Sequence, residues 1–576
     1  MDFRPGYSKQ AFISGRWLFA IFSLCFCLNP VLNRAEAASV TVVVTKQTPL
    51  TTLSPKGDVL GVGEATVGAQ FTFVRIEGNQ IVLQNAQGIY YRIAKVSTDY
   101  ISGASPTSPS ATTNNAPLVS PPAPVTNLAP VPSTSLSTPG QDITATSSAP
   151  IPDDAVAKIN AGLGTSFFTT QSFWKESALL IASRLRLRLE DKTKWESSYR
   201  RYFYDTEGNY APASILGGGA YCVALYSDAD DTPTSALIAF ANDGDYQGAV
   251  RILSAIYALK HQTGTPLEGS DQKIAELQAK FDAIRQSFEA ARQKEQVTLT
   301  KNLTALFGDP RRTSFGSDAV TREDALRWDW NGVSFLLTCQ ENKYNLLRVI
   351  PTQLADNHGR TERIPRDELG PKLIDAVEHR VNGDVVITQI PMADQGLKGY
   401  CVPATWERVL RYTGVPGDMY TLSRIGGAGF SGGEGGSEVA AQLDNTLHNY
   451  GRKAQFIQIT KIDAFSLRRY IDAGIPIFWG VNPGGYVTVQ QRYALCDRDK
   501  DWEAWKKLLT QSRTPSTSKA TPLENKGGHQ VLITGYNPDT KEIAWSDPWG
   551  RNTQERWMTQ EEAQRCSLNE FYIISW

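Results

Sequence analysis

The sequence predicts an α+β chain of several units: a small N-terminal all-β module, a mixed α/β middle domain and a C-terminal α+β domain. Three observations carry this. Residues 39–101 form short strand-like runs parted by turn signals. Residues 153–380 mix strand-like runs with one long helical stripe. From Val381 to Trp576 helical patterns come first and apolar strand runs follow. At 576 residues the chain exceeds one hydrophobic core, and the usual size of roughly 100 to 200 residues per domain implies about three or four units. Lys+Arg 58 against Asp+Glu 59 leaves a formal charge of -1, so no global field attracts nucleic acid or an anionic membrane. A nucleic-acid partner is not expected.

The N-terminus reads as an export signal. Arg4, Lys9 and Arg16 precede the apolar run WLFAIFSLCFCL, and Ala35-Glu36-Ala37 supplies a small-x-small cleavage site. The run is too short, and too closely followed by that site, for a membrane anchor. Residues 1–37 are therefore expected to be a signal peptide, with no membrane span after its cleavage, and the protein to be exported: periplasmic, cell-surface or secreted. Cys25 and Cys27 leave with the signal, and the small residues that a lipoprotein site needs do not precede them. Cys222, Cys339, Cys401, Cys496 and Cys566 remain, an odd number that leaves at least one thiol unpaired within a monomer in an oxidising compartment.

Within residues 39–101 the runs SVTVVVT, QFTFVRI, QIVLQ and IYYRIAKV are separated by Glu77-Gly78-Asn79 and Asn85-Ala86-Gln87-Gly88. This small β-barrel or sheet resembles the Src-homology-3-like (SH3-like) modules of exported bacterial proteins, which implies binding to cell wall or partner proteins. Residues 102–152 are rich in Pro, Ser, Thr and Ala, with no charged residue from Ser102 to Gln141. Such a composition buries too little apolar surface to offset its ordering entropy, and it reads as a linker partly extended by its prolines.

In the middle domain, QKIAELQAKFDAIRQSFEAARQKE sets Ile274, Leu277, Phe281, Ile284, Phe288 and Ala291 on one stripe. LRWDWNGVSFLLTC and KYNLLRVIP read as a hairpin. In residues 381–576, VPATWERVLRYTG presents Val402, Trp406, Val409, Leu410 and Thr413 on one side of a helix that stops at Gly414. SEVAAQLDNTLHNYG makes a second helix with Ser437 as N-cap, and DAFSLRRYIDAG a third. The strands IPIFWGV, HQVLITGYN, EIAWSDPWG and FYIISW follow.

A lone cysteine is more often buried packing than chemistry. Cys401 has company. Gln395 lies six residues before it, His529 opens a strand after Gly527-Gly528, and Asp547 follows eighteen residues later near the end of the next strand. In that order they supply an oxyanion donor, a nucleophile, a base and a base-orienting carboxylate. A helix N-terminus and a neighbouring imidazolium both favour a thiolate at Cys401, which makes it the free, reactive thiol and leaves any disulfides to the other four cysteines.

These residues resemble those of the papain-fold cysteine peptidases, specifically the branch that includes the double-glycine-cleaving, bacteriocin-processing peptidases. Cys401-Val402-Pro403 resembles that branch's Cys-Gly-Pro, GGHQVLITGYN its histidine strand and WSDPWG its Asp-Pro segment. Trp549 is similar to the tryptophan that shields the histidine contact in such enzymes. Two departures stand out: Val402 in place of glycine, and a long polar stretch from Gln490 to Lys526 before the histidine strand. The resemblance implies a papain-like domain with Cys401, His529, Asp547 and Gln395 as its catalytic residues, acting on a peptide or protein substrate. It also implies that the middle domain, placed as inhibitory propeptides are in this family, covers the cleft until proteolysis.

Two alternatives use other chemistry. An acyl or amide transferase resolves the same thioester with an amine, and a non-catalytic wall-binding protein uses no triad at all; the intact quartet argues against the latter. No cofactor is expected. Gly427-x-Gly429-x-x-Gly432 has no apolar strand before it, as a dinucleotide fingerprint requires, and reads as a mobile lip beside the cleft. With no Cys-x-x-Cys or His-x-x-x-His, no metal site is expected.

Overall fold

The computed structural model describes residues 41–44, 48–53, 59–65, 70–77, 80–84 and 90–94, then 151–190, 195–203, 213–246, 252, 255–256, 259, 269–430, 435–512 and 528–576. The expected signal peptide and the linker as far as residue 150 lie outside the described residues. The chain forms two compact units, Met1–Leu128 and Ala129–Trp576.

In the first unit six antiparallel strands make one sheet, in the order Thr41–Val43, Gln70–Glu77, Gln80–Gln84, Tyr90–Ala94, Thr48–Leu53 and Val59–Ala65. Alternation sets Ile81 and Leu83 on one face, where they pack with Val44 and Ile93, flanked by Leu50 and Phe71.

The second unit holds two eight-stranded antiparallel sheets. The upstream sheet runs Arg311–Phe315, Glu323–Trp330, Val333–Gln340, Tyr344–Pro351, Pro233–Asn242, Cys222–Asp228, Glu196–Tyr202 and Arg188–Leu189. Its centre is a three-strand meander rather than the single expected hairpin. Asn331 (φ 47°) and Gly332 (φ 76°) both adopt left-handed backbone and fold LRWDWNGVSFLLTC back on itself before KYNLLRVIP begins. The long helix spans Ser270–Phe307, well past the amphipathic stripe. Phe281 and Phe288 are buried as the stripe predicts, Ala291 is exposed, and Leu299 and Leu303 extend the helix through a β-branched run by packing into the upstream core.

The downstream sheet runs Val377–His379, Val385–Ile387, His529–Asn537, Ile477–Val481, Ser567–Ser575 and Lys453–Phe456, and the pair Glu542–Ser546 and Arg556–Thr559 branches from His529–Asn537. The second expected helix divides into Gly436–Gln442 and Asp444–Asn449; Gly435 holds the N-cap and Ser437 lies inside the helix. The third is Ala464–Ile471, capped by Asp463. Part of the polar stretch before the histidine strand is also helical. Trp505 and Leu509 of Trp502–Ser512 pack with Val386, Ala544 and Trp557 on one face of the sheet.

The cysteine helix, Cys401–Tyr412, lies between the two sheets. One side, with Trp406 stacked on Phe478 at 4.6 Å, enters the downstream core. The other places Ala404, with Tyr400 and Tyr420, against Cys222, Ala224, Leu237 and Leu346 of the upstream sheet. Every residue from Cys401 to Leu410 is therefore buried, and its charged side chains find partners inside. Arg200 reaches Glu407 at 3.2 Å with both side chains fully buried, and Arg408 donates to the Pro391 carbonyl at 2.8 Å. No helix among the described residues is long and apolar enough to cross a membrane.

Removing one partner of a buried ion pair strands the other charge. Glu407→Ala should destabilise the second unit by about 3–5 kcal/mol, whereas Glu368→Ala, which breaks the exposed Lys372–Glu368 pair, should cost under about 0.5 kcal/mol. Denaturant unfolding of the full chain compares the two, and equal midpoints would show that the Glu407 pair is not structural.

Candidate active site

Cys401 is the first residue of its helix, and no side chain caps that N-terminus. The free N–H groups and the helix dipole therefore face the sulfur. The Val402 and Gln530 N–H groups donate to Sγ, and His529 hydrogen-bonds it through its ring. Thr405, one turn along, donates to the Gln530 carbonyl at 3.1 Å and ties helix to histidine strand. That strand pairs with Ile477–Val481 in a register that sets His529 opposite Val481.

On its far side His529 Nε2 meets Asp547 Oδ1 at 2.9 Å, so Nδ1 is the nitrogen turned toward Cys401. Asp547 follows the strand Glu542–Ser546 and is fully buried. Its backbone is pinned twice by Thr553: Asp547 N–H donates to the Thr553 carbonyl at 3.0 Å, and Thr553 Oγ1 donates to the Asp547 carbonyl at 2.9 Å. Trp549 stacks on the imidazole, centroids 4.5 Å apart and planes 24° apart, and is 42% exposed on its outer side. It shields the His529–Asp547 contact from water, as the sequence suggested.

Gln395 joins the same site. Its N–H donates to the Pro548 carbonyl at 2.9 Å, beside Asp547, and its side-chain amide donates to the Lys398 carbonyl at 2.8 Å. An amide nitrogen has a second N–H to give. The structure thus brings together all four residues singled out in the sequence. One neighbour escaped that reading: Tyr486, buried and packed against Trp545 at 4.5 Å. Its Gly-Gly-Tyr context is a turn signal and carries no mark of a site. A cavity of about 440 Å³ lies elsewhere, beside Leu410, Arg411 and Gly414 at the opposite end of the cysteine helix.

The electrostatics follow from this geometry. Burial works against a charged imidazole, but the Asp547 carboxylate outweighs it and, with Cys401, pushes His529 up to about 10. Burial likewise raises the Cys401 thiol, yet the His529 hydrogen bond and charge hold it below its ordinary value. The two shifts have opposite sign, and both favour the charged pair, thiolate and imidazolium, over thiol and neutral imidazole.

Residues 387–574, about a third of the chain, match the Peptidase_C39 like family. The match supports a papain-like cysteine peptidase of the C39 type. It spans Gln395, Cys401, His529 and Asp547. No curated protein matches the chain.

None of the five cysteines among the described residues is paired, and the other four differ from Cys401. Burial pushes Cys222 up to about 11 and Cys339 and Cys566 up to about 12, while Cys496 is raised by partial burial beside Asp501 and Asp497. Iodoacetamide at pH 6 should therefore alkylate Cys401 first, by at least about 10-fold over any other thiol. Peptide mapping of the native protein reads this, and preferential labelling of Cys496 would contradict the ion pair.

Proposed function

We propose that the protein is an exported cysteine peptidase that cleaves peptide bonds through Cys401, His529, Asp547 and Gln395. The observation that carries this is the continuous chain from the Cys401 sulfur through His529 to Asp547, seated at a helix N-terminus within a C39-like domain. The Cys401 thiolate attacks the scissile carbonyl carbon. Negative charge passes to its oxygen, held by the Gln395 side-chain N–H and the Cys401 backbone N–H. His529 gives its proton to the leaving amine as the C–N bond breaks, and a thioester remains. His529, now neutral, takes a proton from water as it attacks the thioester; the C–S bond breaks, the carboxylic acid product leaves and the Cys401 thiolate is restored beside the imidazolium. Asp547 keeps the imidazole in one tautomer and stabilises its charged form without itself being protonated.

A substrate peptide or protein outside the cytoplasm fits the N-terminal export signal, and the small β module is the candidate contact with cell wall. Transfer to an amine uses the same thioester, so product analysis with an added amine acceptor separates the two reactions. Free carboxylate products support hydrolysis, and amide products support transfer.

Cys401→Ala should abolish turnover, because nothing else can form the thioester. Asp547→Ala should reduce kcat about 10- to 1000-fold. Asp547→Asn should retain more activity than Asp547→Ala, since the asparagine oxygen still accepts the ring N–H. Wild-type kcat in folded Asp547→Ala would remove Asp547 from the mechanism.

A further inference from the structure

Eight residues, Met392 to Gly399, lead into Tyr400 and the cysteine helix, and Gln395 sits among them. On one side Gln395 N–H grips Pro548 of the downstream domain. The other side is held by the upstream sheet. Ser198 Oγ donates to the Met392 carbonyl at 2.9 Å, and Tyr202 Oη and Arg200 Nη1 donate to the Asp394 carbonyl at 2.5 and 3.3 Å. Lys398, whose carbonyl accepts the Gln395 amide, sends its ammonium to Asp245 at 3.1 Å. Both of those side chains are fully buried, and the ammonium lies 4.2 Å from the Tyr202 ring centroid. Tyr400 donates to the Asn242–Asp243 turn at 3.0 Å, and a Cβ at Gly244 would stand 2.5 Å from its ring.

This is a poor design for a segment that must leave. A propeptide that departs after proteolysis exposes the cleft; this sheet would depart by stranding a buried lysine and unpinning the strip that carries Gln395. We propose instead that the upstream sheet is a permanent part of the catalytic centre, with Tyr202 and Lys398 as positioning residues that hold Gln395 in register with Cys401. The proposal rests on Gln395 acting as an oxyanion donor. Tyr202 fixes the backbone on one side of Gln395, and Lys398 fixes the carbonyl that aims its amide. The sheet thereby acts on the acyl-transfer step and leaves the thiolate–imidazolium pair, held by the helix and the histidine strand, untouched.

Two readouts in the full-length protein separate these roles. Alkylation of Cys401 by iodoacetamide passes through no oxyanion, whereas peptide turnover does. Lys398→Met should lower kcat about 10- to 100-fold with KM within about 3-fold, and Tyr202→Phe, which deletes one hydroxyl, about 3- to 10-fold. Alkylation in both should stay within about 2-fold of wild type, and Lys398→Met should cost little more when added to Gln395→Ala. If Gln395→Ala lowers kcat but both positioning variants turn over like wild type, the proposal is wrong. It is equally wrong if alkylation falls in step with kcat in both variants, which would make the contacts supports of the whole fold. Wild-type kcat in Gln395→Ala would instead overturn the oxyanion reading beneath it, and the proposal with it.

Discussion

A helix covered on both faces is the constraint from which the rest of the second unit follows. Cys401–Tyr412 lies between two sheets, so neither its apolar nor its polar face reaches water. The apolar face needs only packing. The polar face needs a partner for every donor and acceptor, because an unpaired buried charge is costly. Glu407 meets that demand with Arg200, the Tyr226 hydroxyl and the Met419 N–H. Those partners lie on the upstream sheet and on the helix after the cysteine helix, so satisfying one carboxylate joins three elements. Similar ties repeat along the contact: Arg411 with Glu196 at 2.8 Å, Arg348 with Asp418 at 3.1 Å and Lys343 with the Ala428 carbonyl at 2.7 Å.

Burial also sets the chemistry. Removal from water alone would keep Cys401 a thiol and His529 neutral. Each escapes because the other, with Asp547 behind it, supplies the opposite charge at hydrogen-bond range. The helix N-terminus contributes because it is uncapped, which leaves backbone donors for the sulfur. Trp549 then covers the His529–Asp547 contact with its inner face while its outer face stays in water, so both the imidazole and the carboxylate are buried.

Much of the candidate site was legible because it is local. The order of Gln395, Cys401, His529 and Asp547, the Gly-Gly before a strand and the Asp-Pro-Trp after one are all readable along the chain, and the structure gathers those residues. The helices were legible as apolar stripes, and their ends less so. Ser437 looked like an N-cap, yet Gly435 takes that place; Leu299 and Leu303 carry the long helix through Val-Thr-Leu-Thr because tertiary packing outweighs propensity. The support of the site was hidden for a different reason. Glu407 and Arg411 mark the polar side of an amphipathic helix, and a polar side reads as solvent-facing. That it faces a second sheet depends on Glu196, Arg200 and Tyr226, which lie more than 150 positions away and carry no local pattern.

The charged character of that interface has its own logic. Buried ion pairs add little net stability over well-packed apolar residues, since desolvation consumes most of their attraction. The association of the two sheets therefore rests chiefly on the apolar patch formed by Cys222, Ala224, Leu237, Leu346, Ala404 and Tyr420. An apolar patch alone tolerates sliding, because small shifts exchange one hydrophobic contact for another. Lys398–Asp245 and Arg200–Glu407 do not tolerate it, because a shift of an ångström or two leaves charges unpaired in a dry interior. Apolar burial holds the two sheets together, and the ion pairs select one register in which the Gln395 strip and the Cys401 helix start face the same point.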